Sequence, residues 1–132
     1  MSPQLAYECL NSVPLGKQEA LDLVDSIVQY LTFQTDLNYK KDPPADYYYP
    51  AIDVLGLLQQ IRGKVEGDEY VNEYSFQVDL YKPFAQSHDA HLIFYPDLLT
   101  GVVDFGRNVT LVSISDTDTG VLPEVYFKRN IP

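Results

Sequence analysis

In residues 17–33, apolar side chains recur at Ala20, Leu23, Val24, Ile27, Val28 and Leu31. These steps of three and four gather them on one side of a helix and leave the other side polar. The period returns at Ile52, Leu55, Leu58, Ile61 and Val65, with Gly67 as terminator, and predicts a second helix over 51–65. A third is predicted over 68–85 from Val71, Tyr74, Val78, Tyr81 and Ala85. Pro83 falls inside it; its ring removes a helical hydrogen bond and crowds the previous turn, so a kink or an end is expected near Lys82. A short turn or helix over 5–11 precedes these three, set off by Pro14 and Gly16. The stretch NYKKDPPADYYYP is expected to be an ordered loop, because its prolines forbid regular helix while its tyrosines offer packing surface with polar tips.

After His91 the pattern changes to short apolar runs, HLIFY, GVVDFG, VTLVSIS and EVYF. They are rich in β-branched and aromatic residues and separated by Pro96-Asp97, Gly101, Gly106 and DTDTG. The chain therefore predicts an α+β fold: a helical domain of three helices over 1–90, then a β-rich segment of about four short strands over 91–132. Four such strands leave open edges, which favours continuation of the sheet or self-association through strand edges.

Composition narrows the partners. Nine Lys plus Arg against nineteen Asp plus Glu give a net charge of -10, which repels phosphate backbones and anionic membrane surfaces. Nucleic acid is not an expected partner, and neither is a membrane, since no apolar run approaches the roughly 20 residues needed to span one. The opening MSPQLAYE lacks the basic start and apolar middle of a secretion signal. Cys9 is the single cysteine and reads from composition as a small buried hydrophobe. Asn108-Val109-Thr110 is an acceptor sequon for N-glycans.

Both histidines lie in Ser87-His88-Asp89-Ala90-His91, which allows three readings. As a metal site, His88, His91 and Asp89 would need further ligands such as Asp97 or Asp104, and a structural zinc site ordinarily takes four. As a catalytic base, a histidine at a helix-to-strand junction needs a nucleophile. None of Ser2, Ser12, Ser26, Ser75, Ser87, Ser113 and Ser115 sits in a glycine-framed elbow. As plain structure, His88 caps the helix, Asp89 serves the next turn and His91 starts a strand beside tyrosines. The tyrosine clusters read first as core and rim, and EGDE and SDTDTG as solvated turns without the spacing of a calcium loop.

The runs LAYECLNSVP, YKKDPPADYYYP, NEYSFQVDLYKPF and HDAHLIFYPDLL, in this order, resemble the amino-terminal part of fungal secreted serine peptidases related to the chlamydial protease-like activity factor. That group belongs to the wider tail-specific, carboxy-terminal-processing peptidase family. The resemblance implies that His91, in an Asp-x-His run with Asp89 as its motif neighbour, is the general base. It implies that the nucleophilic serine and assisting acid come from a later α/β domain, so that this chain alone is proteolytically inert, and that no cofactor is needed. The strands from about Arg107 onward would open a PDZ-like domain. It implies an extracellular protein whose signal peptide lies outside this sequence, with an upstream cysteine available to pair with Cys9, and whose partners are the rest of the peptidase chain or a peptide or protein substrate. Relatives often carry glycine where Ala90 stands, so a positive φ there would cost alanine about 1 kcal/mol or more. Relatives also usually continue the helix that Pro83 interrupts. The reading from a different class is a non-catalytic secreted interaction module or effector that binds through its tyrosine-rich surface.

Overall fold

The computed structural model describes residues 1–104, 106, 109–115 and 122–128. Its described part is mixed α+β: α1 (Pro3–Asn11), α2 (Lys17–Tyr30) running into a 3-10 turn (Leu31–Phe33), α3 (Leu37–Lys41), α4 (Val54–Glu66), α5 (Glu73–Gln86), α6 (Asp97–Thr100), β1 (Thr110–Ile114) and β2 (Glu124–Lys128). Side-chain caps start three of the helices: Ser2 accepts from the Leu5 amide, Asp53 from Gly56 and Asn72 from Ser75. At the far end of α4, Lys17 Nζ donates to the Glu66 carbonyl and to Asp68 Oδ1, both at 2.8 Å, supplying a cation where the helix leaves its last carbonyls open. The left-handed residue beyond this helix is Asp68 (φ 55°), one past the Gly67 cap.

The helices close around one core. Val24, Leu58, Val65, Phe76 and Leu80 are each fully buried, with Ala20, Leu31, Val54, Ile61, Phe84 and Leu92 around them. α2 packs on α4 and α4 on α5, while α1 reaches α5 through Tyr7 against Tyr74, ring centroids 5.7 Å apart, and the Asn72 amide on the Asn11 carbonyl at 3.1 Å.

Two expectations for α5 are corrected. Its buried face is Phe76, Leu80, Pro83 and Phe84; Val71, Tyr81 and Ala85 are exposed. Two stripes at helical spacing compete along this segment, and the one with phenylalanine and leucine removes more apolar area from water. Nor does the helix end near Lys82, one of the two outcomes expected of Pro83. It runs to Gln86 with Pro83 fully buried inside it, and that burial offsets part of the cost of the lost hydrogen bond.

The strand expectations are corrected further. HLIFY and the described part of GVVDFG form no strand; Phe105 lies outside the described residues. In HLIFY the alternation is genuine but serves another contact. Leu92 is buried and Phe94 packs on Phe84 at 5.4 Å, whereas Ile93 and Tyr95 face out, so an irregular segment lies across the helices instead of pairing with a strand. The helical body therefore continues past residue 90, through the buried Pro96 to α6, where the buried Gln77 side chain accepts the Leu98 amide at 2.8 Å. Among the described residues only VTLVSIS and EVYF pair, as an antiparallel hairpin with Leu111 opposite Phe127 and Val112 opposite Tyr126. Asn108 of the sequon and the DTDTG turn lie outside the described residues. Cys9, expected inside, is exposed on α1. Among the described residues no helix is long and apolar enough to cross a membrane.

Candidate functional site

The segment 87–91 leaves the end of α5 as a tight loop. Ser87 closes the helix, its buried hydroxyl donating to the Phe84 carbonyl at 2.7 Å. His88 follows with φ 52°, the left-handed turn that commonly ends a helix, and its ring stacks on Tyr49 at 4.3 Å and 10°. The helix-capping role expected of His88 falls instead to Ser87, whose amide and hydroxyl both donate to the Phe84 carbonyl, and His88 is the left-handed residue just beyond it. Ala90 has no positive φ, so the glycine of the resembling proteins is not required there by backbone strain; the strained position is two residues earlier.

Asp89 turns inward, with its side chain 15% exposed. Its Oδ1 accepts the His91 amide at 2.8 Å, a turn of the kind aspartate makes with its own backbone two residues on. Its Oδ2 lies 3.4 Å from Lys40 Nζ. Lys40 comes from α3, in the tyrosine-rich stretch expected to be loop, and is buried. Its ammonium meets Asp36 Oδ2 at 3.0 Å and the Ser87 carbonyl at 3.4 Å as well, so each of its three protons has an acceptor. Burial works to lower the Lys40 pKa, but Asp36 and Asp89 outweigh it and raise it. The Asp89 carboxyl is held below its ordinary value chiefly by the His91 amide, against burial and with help from Lys40.

His91 is the opposite of buried. Its side chain is 99% exposed, not packed beside tyrosines at a strand start. Nδ1 stands 3.7 Å from Asp89 Oδ1, beyond hydrogen-bond range, so Asp89 fixes the backbone beneath the ring and does not itself hold the ring. Beside His91 opens a groove of about 700 Å³ lined by Ile27, Leu31, Phe33, Phe84, Leu92 and Phe94 among others, with Tyr30 and Phe33 largely exposed on its edge. Ser26 also lines this groove, but its hydroxyl donates to the Asp22 carbonyl at 2.7 Å. Among the described residues no serine is hydrogen-bonded to either histidine, and no group of three or more His, Cys, Asp or Glu stands where it could hold a metal ion. His88, Asp97 and Asp104 do not gather with His91 into a ligand set.

Lys40 is the member of the site that the sequence did not single out. Lys41 beside it is exposed and pairs with Asp53 at 2.7 Å, and nothing in the string YKKD tells the two apart. No protein-family model, curated protein or solved structure significantly matches this chain.

Proposed function

We propose that this chain is the amino-terminal part of a secreted serine endopeptidase of the carboxy-terminal-processing family and that it supplies His91 as general base to a serine carried outside these residues. The observation that carries the reading is the fully exposed imidazole on a loop whose backbone is held from below by Asp89. A base that must meet a nucleophile from another domain has to be open on the outer side and fixed on the inner one. With Nδ1 on the Asp89 side, Nε2 is the nitrogen left to take the serine proton as Oγ attacks the scissile carbonyl. The same nitrogen would return the proton to the leaving amine as the C–N bond breaks, giving the acyl-enzyme that water then hydrolyses. The acid that orients Nδ1 would come with the serine, because Asp89 is out of bonding range.

Two further features support the reading without carrying it. β1 and β2 bear apolar side chains on both faces, Leu111, Val125 and Phe127 on one and Val112, Ile114 and Tyr126 on the other, as strands of a larger sheet do; this suits the opening of a PDZ-like domain. Exposed Cys9 is accessible for pairing outside the cell. The second reading, a non-catalytic interaction module, draws support from the exposure of Tyr30 and Phe33 at the groove edge.

The test is fluorophosphonate labelling of the natural gene product, recovered from its source with an antibody against this chain. Labelling at a serine beyond Pro132, slowed about 10²–10⁴-fold by His91→Ala, is the expected outcome. A natural product that resists the probe supports the interaction module, and labelling of a serine within residues 1–132 overturns the assignment of roles.

A further inference from the structure

We propose that Lys40 is the positioning residue of the His91 loop: its ammonium grips the loop at both Ser87 and Asp89, and thereby sets where the His91 imidazole stands at the groove. This rests on the reading of His91 as a base only for the purpose of the positioning; the grip itself is a property of this chain.

Two geometric facts carry it. The first is that Lys40 is a buried cation whose acceptors are divided between two parts of the fold. Asp36 anchors it to its own helix, while the Ser87 carbonyl and Asp89 Oδ2 lie on the loop, one on each side of His88. A lysine side chain 7% exposed would be costly if left unpaired, so loop and lysine hold each other in place. The second is that His88, between the two gripped residues, is left-handed at φ 52°, a conformation that costs a non-glycine residue energy and persists only when its surroundings impose it. The stack of its ring on Tyr49 closes the loop from the opposite side. Asp89 is then the transmitter: one oxygen faces Lys40, the other caps the His91 amide. Removing Lys40 frees that carboxylate to turn to solvent, and the cap goes with it.

The charged and titratable groups around Asp89 and His91 are few. Lys40 and Asp36 face them from α3 and the residue before it, Tyr30 from α2 along the groove, Tyr81 from α5, Tyr49 from the loop before α4, Tyr95 from the segment after His91, and His88 from the loop itself. Among these, Lys40 is the cation beside the Asp89 carboxylate.

The experiment is NMR on this chain with Lys40→Met and, as reference, Asp89→Asn. Lys40→Met is expected to raise hydrogen exchange at the His91 amide at least about tenfold while the Leu58 and Leu80 amides stay protected. Asp89→Asn is expected to raise exchange at the His91 amide to the same level, with the double variant no different from either single one. A merely structural lysine would not make the His91 amide respond to Lys40 only while Asp89 is present. If the His91 amide stays protected in Lys40→Met, Asp89 holds the loop unaided and the proposal is overturned. Should Lys40→Met open the core, the unmutated chain decides: the Lys40 Nζ resonance, the Asp89 carboxyl and the His91 amide should report one common midpoint as pH falls, and an Nζ resonance that ignores the Asp89 titration overturns the proposal. None of these readings needs a peptidase, so an unlabelled natural product would remove the catalytic purpose and leave the grip measurable.

Discussion

The helical body and the hairpin solve the burial of apolar side chains in opposite ways. In the body each long helix shows one apolar stripe inward, and Val24, Leu58, Val65, Phe76 and Leu80 end fully buried. In the hairpin both faces are apolar and most of them meet solvent: Leu111 is 59% exposed, Val125 68% and Phe127 77%. A helix stripe can be satisfied by two or three neighbours from the same stretch of chain. A strand with two apolar faces needs layers on both sides, which a two-stranded ribbon does not have. Stability in this chain is therefore expected to be concentrated in the body, and the hairpin is the region that a partner or a larger sheet would stabilise.

The sharpest break in that contrast comes from Leu58→Ala, which opens a cavity in the core of the helical body. It is expected to cost about 2–5 kcal/mol in urea unfolding; a loss under about 1 kcal/mol would show that the core is not packed as described.

A smaller effect comes from acid. Asp79, on α5, receives Lys82 Nζ at 2.7 Å, Lys64 Nζ from α4 at 2.9 Å and the Tyr70 hydroxyl at 3.1 Å. Burial works to raise its pKa, but these partners prevail and lower it from 3.8 to about 2. Because the folded value lies below the unfolded one, the contribution is fully present above about pH 4 and lost as pH falls through about 2. Its size, reduced by solvent screening, is at most about 2 kcal/mol, read as a fall in the urea midpoint that Asp79→Asn should flatten. The same network holds Tyr70 protonated well above the ordinary range, chiefly through burial and then the Asp79 charge.

The smallest effect is expected in the hairpin. Phe127→Ser should change the stability of this chain by no more than about 0.5 kcal/mol, since the ring it removes is already in water. A loss above 1 kcal/mol would mean that the face is covered in solution, by another copy or another segment, and concentration-dependent light scattering would separate the two.

Two charge clusters, one at the middle of α5 and one just beyond its end, sharpen the point about charge. At Asp79 two lysines converge on one carboxylate; at Lys40 two carboxylates converge on one lysine. Both clusters join elements distant in sequence, and neither is visible in the string of residues. The spacing of Lys64 and Asp79 says nothing about which faces of α4 and α5 meet.

What the residues alone determined were features that depend on local periodicity and local backbone chemistry. The stripes of α2 and α4, the turn at Asp89 and the pairing-prone runs at 110–114 and 124–128 all follow from interactions within a few residues. The tertiary structure decided what depends on competition between distant partners. It chose Phe76, Leu80 and Phe84 over the neighbouring stripe, laid HLIFY on helices where its alternation suggested a strand, turned Cys9 outward, and buried Lys40 under the loop that carries His91. The physical reason is the same in each case: side-chain spacing states which groups can share a face, but free energy of burial and of charge pairing depends on what the rest of the chain brings opposite that face.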